Sequence, residues 1–259
     1  MIEKIHPIPA SMDSYIWAIH RAESNQVCLV DPGDADVVQE YLKLNKLQLT
    51  DILVTHHHPD HVGGLMQLKK DHNPRVIGPK SSGIDGITDF VTENDSIELF
   101  DCNFTVIEVP GRTLDHLAFY SKSTSEPLVF CGDTLFAAGC EHLFEGTAEM
   151  IAASLDKLAD LPKETSVYCT HEYTLANLAF AKAVDPLNGA LGFRTISEQY
   201  KRELGLPTLP STISQELRTN PFLRCDDDVL KKSVETHAGR ELNSRLDTLT
   251  ELRLWKDGL

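Results

Sequence analysis

Four histidines lie within six consecutive positions of the chain, in the sequence HHHPDH. His56 and His58 are two residues apart, so in an extended strand their side chains point to the same side and could hold one metal ion. The proline that follows ends the extended stretch, and Asp60 and His61 then begin a helix, where they could serve a second ion. Imidazole with carboxylate suits zinc, and also iron or manganese. This spacing therefore predicts metal-dependent chemistry.

Three later places supply the same residue types at the ends of predicted strands. His116 follows a Pro-Gly turn and precedes the apolar segment LAFYS. Asp133 follows the apolar run LVFCG, and His171 follows VYCT. Active sites of layered α/β folds gather where strands end. Together with the first group, these residues predict a centre with enough ligands for two metal ions.

The elements that must position these residues form an α/β arrangement. The first two-thirds of the chain has short apolar strands separated by helices, and a buried strand predicted at 52–55 runs straight into the histidines. After about residue 172 helical patterns dominate and strand signals disappear. The predicted helices there span 173–184, 195–204, 211–219, 226–236 and about 241–256. The sequence therefore predicts a β-rich core followed by a helical domain.

Composition and charge exclude several classes of protein. The net charge is −15, which repels nucleic-acid backbones, so no nucleic-acid partner is expected. No stretch approaches the roughly 20 apolar residues that cross a bilayer, so no membrane partner is expected. No secretory leader is recognised, and the six cysteines are scattered without a CxxC pair. We therefore expect a cytoplasmic protein with reduced thiols, monomeric rather than oligomeric.

These motifs resemble, in order, those of the metallo-β-lactamase superfamily. The resemblance rests on HHHPDH, on PGRTLDH, on CGDTLF and on THEYT. Later segments, AGC, FEGT, NPFLR and RLWKD, are similar to the glyoxalase II (hydroxyacylglutathione hydrolase) branch. The resemblance extends over essentially the whole chain. It implies an α/β fold with a four-layer αββα sandwich over residues 1–172, followed by a smaller α-helical domain over residues 173–259 that helps to bind glutathione.

Carried over position by position, the resemblance implies a dinuclear metal centre. The ligands of its first ion are His56, His58 and His116. The ligands of its second ion are Asp60, His61 and His171, and Asp133 bridges the two ions. Asp60 and Asp133 are then the catalytic residues, with Asp60 orienting the attacking hydroxide. The implied cofactors are two divalent ions per chain, with zinc expected before iron or manganese.

The resemblance also implies where the substrate binds. The implied substrate-binding residues are Cys140, His142, Tyr173, Arg253 and Lys256. The last two would meet the glycine carboxylate of glutathione, although cations are also common at a solvated helix end. Behind the ligands, Asp31 is either a partner of a ligand histidine or a plain turn former. His57 should point away from its neighbours, which favours a structural or supporting role.

The activity implied by the resemblance is hydrolysis of the thioester of an S-(2-hydroxyacyl)glutathione. In the usual case S-D-lactoylglutathione yields glutathione and D-lactate, the second step of methylglyoxal detoxification. Two alternatives stay open: a mononuclear-iron persulfide dioxygenase of the same superfamily, and a glutathione-conjugate-binding protein without turnover. Metal count, oxygen consumption and binding without hydrolysis would separate the three.

Several positions depart from the pattern of that branch. Arg112 stands where a histidine is usual, and Asp115 stands where a glycine usually precedes the ligand histidine. Glu141 and His142 replace the usual glycine and basic residue, and Phe144 lacks a hydroxyl that some relatives carry. Because the basic residue helps to hold glutathione, these departures bear on substrate affinity more than on reaction type.

Overall fold

The computed structural model describes residues 1–11, 13–80 and 83–259. The strands are β1 (Ile2–Ala10), β2 (Ser14–Arg21), β3 (Gln26–Val30), β4 (Gln48–Leu53), β5 (Arg75–Pro79), β6 (Asp89–Val91), β7 (Ser96–Leu99), β8 (Cys102–Glu108), β9 (Leu117–Ser121), β10 (Leu128–Gly132), β11 (Leu135–Phe136), β12 (Gly139–Cys140), β13 (Ser166–Cys169) and β14 (Ser211–Thr212). The α-helices are α1 (Ala35–Asn45), α2 (Pro59–Val62), α3 (Leu65–His72), α4 (Ala148–Ala159), α5 (Thr174–Val184), α6 (Gly189–Glu203), α7 (Ile213–Thr219), α8 (Asp228–Ala238) and α9 (Arg245–Asp257). A 3-10 helix spans Pro221–Leu223.

The first sheet contains β1 to β6 in the order of the chain. β1, β2 and β3 are antiparallel, whereas β3, β4, β5 and β6 are parallel. Parallel neighbours need a crossover, and α1 supplies it between β3 and β4, while α2 and α3 supply it between β4 and β5. The histidine-rich segment therefore lies at the carboxyl end of a central strand.

The second sheet has the strand order β14-β13-β10-β9-β8-β7. β10 and β13 run parallel, with Gly132 opposite Cys169 at their carboxyl ends. The other neighbours in this sheet are antiparallel. The register brings the segments that follow β10 and β13 to the same edge of the sheet.

The two sheets pack face to face around one large core. Trp17, Val30 and Leu53 from the first sheet share this core with Phe104 and Phe130 from the second sheet. All five are nearly inaccessible to solvent. Full burial of one such side chain contributes about 1.5–3 kcal/mol, so the apolar faces of the two sheets hold the sandwich together.

Helices cover the outer sides of the sandwich. On the first sheet, Val38 and Leu42 of α1 and Leu68 of α3 belong to a second apolar cluster. Helix α1 begins where the Asp34 carboxylate accepts hydrogen bonds from two free backbone N–H groups. On the other side, α4 adds Leu155 and its apolar neighbours to the large core. The predicted four-layer αββα sandwich, followed by a helical domain, is confirmed.

The chain after residue 172 is helical, with one exception. The short strand β14 pairs with β13 and extends the second sheet, whereas we expected no strand in this region. Two residues are too few to produce a periodic pattern, which is why the sequence did not reveal them. Helix α6 also begins earlier than predicted, because the Asn188 side chain caps it. No helix in the described ranges is long and apolar enough to cross a membrane.

Candidate metal centre

The predicted ligands lie where strands of both sheets end. His56 follows β4, Asp133 follows β10, and His171 follows β13. The N–H of Leu117, next to His116, donates to the carbonyl oxygen of Thr55 at 2.9 Å and joins the edges of the two sheets. The centre is therefore built on strand ends that the hydrogen-bonded sheets hold in place.

Gly132 allows this close approach. Its φ angle of +49° lies in the left-handed region that favours glycine. A Cβ at this position would lie 2.5 Å from Thr55 Oγ1 and 2.7 Å from His116 Cε1. Any larger residue would thus push the segments that carry His56, His116 and Asp133 apart.

Two compact groups of ligand atoms meet in the centre. Atoms of His56, His61 and Asp133 lie within 4.8 Å of one another, and so do atoms of Asp60, His61 and His171. Asp133 Oδ2 lies 3.3 Å from His61 Nε2, while Asp133 Oδ1 lies 3.5 Å from His171 Nε2. The two oxygens of one carboxylate therefore face residues of both groups.

The remaining predicted ligands lie beside His56. The ring of His58 is centred 4.7 Å from the ring of His56, and the ring of His116 is centred 4.3 Å from it. His116 Nε2 accepts a hydrogen bond from the N–H of Asp133 at 3.1 Å. All seven predicted ligands thus lie in one place. Their division between two ions stays a prediction, and His61 belongs to both compact groups.

The polar atoms of the centre fit a metal site. Among the described residues, His56 Nε2, His61 Nε2 and Asp133 Oδ1 are buried and have no hydrogen-bond partner. Buried polar atoms are normally paired, because leaving them unpaired costs about 1–3 kcal/mol each. Imidazole nitrogens and a carboxylate oxygen that converge without partners are the donor set that divalent zinc, iron or manganese takes.

Burial and neighbouring charges set the protonation of these groups. Burial lowers the pKa of His116 to about 4. Burial and the nearby histidines also lower the pKa of His56. For Asp133 burial acts to raise the pKa, but the positive charge of His61 outweighs it and holds the pKa well below its usual range. The rings of His116 and His56 are therefore neutral near pH 7, and the Asp133 carboxylate is ionised.

Asp31 lies directly behind the centre. Its carboxylate accepts hydrogen bonds from the N–H and the hydroxyl of Thr55, both at 2.7 Å, and lies 3.0 Å from His61 Nδ1. Of the two interpretations left open, these contacts favour a partner that orients a ligand histidine. The Nε2 atom of that histidine is thereby turned toward Asp133.

His57 points away from the ligands. Its Nδ1 lies 3.0 Å from Asp115 Oδ1, and its Nε2 lies 3.4 Å from Glu145 Oε1. The N–H of Leu114 also donates to Glu145 at 2.9 Å. The supporting role expected of His57 thus involves Asp115, one of the unusual residues, and links the histidine segment to the loop before His116.

Tyr173 contacts the segment that follows Asp133, and Cys140 belongs to that segment. The ring of Tyr173 stacks on His171 at 4.8 Å and meets Phe136 edge-on at 5.4 Å. Burial raises the pKa of Tyr173 to about 12, so its hydroxyl stays protonated. Cys140 is 2% exposed, and burial raises the pKa of its thiol. Cys140 can therefore contribute backbone atoms rather than its thiol to a binding site.

The two predicted anchors of the glycine carboxylate differ in their surroundings. Arg253 is 3% exposed and donates to the carbonyl oxygen of Cys140 at 2.9 Å and to Asp257 at 2.8 Å. Lys256 is partly exposed, donates to the side chain of Asn177 and lies 5.7 Å from the Phe222 ring centre. Lys256 is the more accessible cation.

The unusual residues near this end carry mixed charges. Glu141 is 8% exposed, and its carboxylate accepts a hydrogen bond from the N–H of His142 at 2.8 Å. His142 is exposed, and its Nδ1 lies 2.6 Å from Asp257. Arg112 lies over the exposed ring of Phe144 at 5.4 Å, and that ring meets His58 edge-on. Acidic groups thus accompany the cations at the predicted glutathione end.

Sequence analysis missed a set of polar side chains that hold the segment after Asp133. Asn177, Glu216 and Asn220 from the helical part donate to or accept from backbone atoms of residues 136–139. The only available signal was the NPFLR motif, which contains one of them. Isolated amides and carboxylates on helices otherwise look like ordinary surface residues.

Comparisons with known proteins agree with this geometry. Residues 13–171 match the family described as metallo-beta-lactamase superfamily, and residues 172–259 match hydroxyacylglutathione hydrolase C-terminus. The protein named hydroxyacylglutathione hydrolase from Chromohalobacter salexigens is 48% identical over 251 residues, covering 97% of each chain. The protein of the same name from Pseudomonas aeruginosa is 46% identical over 255 residues, covering 98% of each chain.

A solved structure supports the fold alone. The crystal structure of ETHE1 from Myxococcus xanthus superposes with a TM-score of 0.68 at 22% identity, covering 96% of this chain and 90% of that chain. The similarity of fold, the two consecutive family matches and the full-length relatives lead to one assignment. The chain belongs to the hydroxyacylglutathione hydrolase family of the metallo-β-lactamase superfamily.

Proposed function

We propose that this chain hydrolyses the thioester of an S-(2-hydroxyacyl)glutathione, with S-D-lactoylglutathione as substrate and glutathione and D-lactate as products. The observation that carries the proposal is the pair of compact ligand groups joined at His61 and faced by both oxygens of Asp133. The relatives named hydroxyacylglutathione hydrolase, similar over nearly their full length, support the substrate class.

The residues proposed to hold the metals are His56, His58 and His116 for one ion and Asp60, His61 and His171 for the other, with Asp133 between them. Divalent ions bound there would make hydroxide available near neutral pH and polarise the thioester carbonyl. The neutral ring of His56 offers a nitrogen lone pair without first losing a proton. The ring of His116 is also neutral, but its Nε2 would have to give up the hydrogen bond from the N–H of Asp133 to bind an ion. The ionised carboxylate of Asp133 can offer one oxygen to each group.

We assign to Asp60 the orientation of the attacking water. Its side chain is 51% exposed, whereas those of His61 and Asp133 are buried. Asp60 Oδ2 lies 3.6 Å from His61 Nε2 and 3.5 Å from His171 Nε2. The carboxylate therefore reaches both the ligands and the solvent, and it can accept a hydrogen bond from water at the mouth of the site. A glutathione thiolate leaves without a strong acid, so no further proton donor is required.

The proposed substrate contacts come from both parts of the chain. The Tyr173 hydroxyl would bind the peptide backbone of glutathione, since its ring lies against His171. Lys256 would bind the glycine carboxylate directly. Arg253 would support that end by fixing Cys140, whose carbonyl oxygen accepts its hydrogen bond and whose backbone would line the site. His142 would add a polar contact there, next to the Asp257 carboxylate that it already meets. In this assignment residues 1–172 carry the metals and residues 173–259 complete the substrate site.

Zinc is the proposed metal, because histidine and carboxylate ligands suit it, with iron or manganese as the other candidates. We also propose a cytoplasmic monomer without nucleic-acid or membrane partners. The net charge of −15 supports the absence of a nucleic-acid partner. Sedimentation of the purified protein checks the oligomeric state, and total metal analysis of protein from cells grown without added metal checks the metal.

Steady-state hydrolysis of S-D-lactoylglutathione by purified protein tests the proposal, with bound metal quantified on the same sample. We expect turnover with two metal ions per chain, abolished by a chelator and restored by metal. A metal-loaded protein without turnover would contradict the proposed substrate. One iron per chain with oxygen consumption on glutathione persulfide would identify the dioxygenase instead, and binding of the thioester without hydrolysis would identify a binding protein.

A further inference from the structure

The hairpin formed by β11 and β12, residues 135–140, follows Asp133 directly and contacts the second ligand group. Its Phe136 ring meets His171 edge-on at 5.9 Å and Tyr173 at 5.4 Å. Movement of this hairpin would therefore shift a predicted metal ligand and a predicted substrate contact together.

The backbone of the hairpin is held by side chains of the helical part. Asn177 Nδ2 donates to the carbonyl oxygen of Ala137 at 3.0 Å. Asn220 Nδ2 donates to the carbonyl oxygens of Phe136 at 3.2 Å and Gly139 at 2.9 Å. A two-residue strand pair has too few backbone hydrogen bonds of its own to keep one conformation, so these side chains set its shape.

Glu216 occupies the centre of this arrangement. It is fully buried, and its Oε2 accepts a hydrogen bond from the N–H of Ala138 at 2.8 Å. Ala138 has a φ angle of +57°, a left-handed conformation that costs a residue with a Cβ about 1 kcal/mol or more. The carboxylate thus binds the amide of a strained residue at the tip of the hairpin.

A buried ion pair holds Glu216 in place. Arg194 donates to Glu216 Oε1 at 2.7 Å and to the hydroxyl of Thr219 at 2.6 Å. Asn220 donates to Glu216 Oε2 at 3.1 Å. Apolar residues of similar size often stabilise a protein as well as a buried ion pair does, so stability alone does not account for charges here. What the carboxylate adds is a fixed acceptor for Ala138.

We propose that Glu216 is a positioning residue for the reaction: through Ala138 it sets the conformation of the 135–140 hairpin and thereby the geometry of His171 and Tyr173. The expected effect on kcat rests on the proposed function. The expected effect on the environment of the bound metal does not depend on which substrate the protein hydrolyses. The helical part would thus shape the metal centre as well as bind the substrate.

A matched pair of double variants isolates the acceptor at position 216. Arg194→Met with Glu216→Gln, the amide variant, removes both charges and keeps an amide oxygen that can accept from Ala138. Arg194→Met with Glu216→Met, the thioether variant, removes both charges and leaves no comparable acceptor. Both variants avoid an unpaired buried charge, so both should fold. Thr219→Val is the control, because it removes a hydrogen bond to Arg194 without touching the hairpin.

The readouts are kcat and KM for S-D-lactoylglutathione and the absorption spectrum of the Co²⁺-substituted proteins. We expect the amide variant and the Thr219→Val control to keep the wild-type spectrum and a kcat within about threefold of the wild-type value. We expect the thioether variant to show an altered Co²⁺ spectrum and a kcat lowered roughly tenfold to a hundredfold, as a displacement near 1 Å produces.

Equal kcat and equal spectra for the two double variants would overturn the inference, even if both had lost stability. If neither folds, the Co²⁺ spectrum of Asn177→Ala tests whether the hairpin positions His171, because this substitution frees the Ala137 carbonyl oxygen. Its KM is set aside, since Asn177 also accepts a hydrogen bond from Lys256. An unchanged Co²⁺ spectrum in that variant would refute the role of the hairpin. Absence of turnover in the wild-type protein would refute the proposed function, while the Co²⁺ spectra would still test the inference.

Discussion

The metal centre and the cluster around Glu216 both contain buried, charged side chains, yet the carboxylates and rings of the two regions are satisfied differently. In the metal centre, His56 Nε2, His61 Nε2 and Asp133 Oδ1 lack hydrogen-bond partners among the described residues. Around Glu216, both carboxylate oxygens accept hydrogen bonds, and of the Arg194 guanidinium only Nε has no partner in the described part of the chain. Converging ligand atoms without partners are suited to bind an ion, whereas saturated ones fix a backbone.

The difference has an energetic meaning. An unsatisfied centre costs stability in the folded protein until a metal binds, and the binding free energy then stabilises the fold. A carboxylate whose oxygens already accept hydrogen bonds stabilises the folded protein without a metal ion. Removing one of its partners leaves a buried polar or charged group unpaired, which lowers the stability of the fold. Substitutions in the two regions should therefore change different measured quantities.

The largest effect is expected in the metal centre. Asp133→Asn keeps the shape of the side chain and removes the charge that faces both ligand groups, so we expect kcat/KM to fall by about a thousandfold or more. Total metal analysis should show loss of bound metal. Asp51→Asn is the matched control, since Asp51 is a buried aspartate that pairs with Arg75 rather than with a ligand. Full activity and metal content in Asp133→Asn would contradict the assignment.

A substitution in the saturated cluster should act on stability first. Glu216→Gln alone leaves the Arg194 guanidinium buried without its charged partner, which we expect to lower the free energy of unfolding by about 3–5 kcal/mol. Urea denaturation measures this change. Glu251→Gln, which breaks the exposed pair with Arg240, should cost less than about 1 kcal/mol. If the free energy of unfolding fell equally in both variants, the buried pair of Glu216 would not differ from a surface ion pair.

Arg253 and Lys256, the two residues predicted to bind the glycine carboxylate of glutathione, should also change different measured quantities. Lys256→Met should raise KM about tenfold with little change in kcat, because it removes binding energy that substrate and transition state share. Arg253→Met should instead lower the free energy of unfolding by about 1–3 kcal/mol, since it leaves the Cys140 carbonyl oxygen without its buried donor. Steady-state kinetics and urea denaturation of both variants check this. An unchanged KM in Lys256→Met would reject it as the anchor.

The smallest expected effect is a pH dependence of stability outside both clusters. Burial raises the pKa of Tyr168 from 10.0 to about 12. The unfolded chain therefore loses this proton at lower pH than the folded one, so the stabilisation is complete below pH 10 and is lost as the pH rises toward 12. Denaturation with urea between about pH 8 and 11 should show a decline that Tyr168→Phe makes shallower. Parallel curves would contradict the prediction.

Elements with a clear local signal were predictable from the sequence. The apolar runs before Asp133 and His171 became β10 and β13 with nearly the bounds of those runs. The strand predicted at 52–55 exists as β4, but it begins at Gln48 and ends at Leu53. Strand β1 was not predicted, because Pro7 and Pro9 interrupt its pattern. It is tolerated at the edge of the first sheet, where a missing backbone N–H can face away from the neighbouring strand.

Metal binding at the centre could be predicted from the sequence, since residue types at strand ends carry that signal locally, and motif order identified the family. Which charges are accessible and which are structural depends on how the chain packs. Arg253 and Lys256 look alike in sequence, but one is buried on Cys140 and the other reaches the surface. Glu216 and Ala138 lie 78 residues apart. A contact over that distance leaves no periodic or local pattern, so it becomes visible only when the packed helices bring the two together.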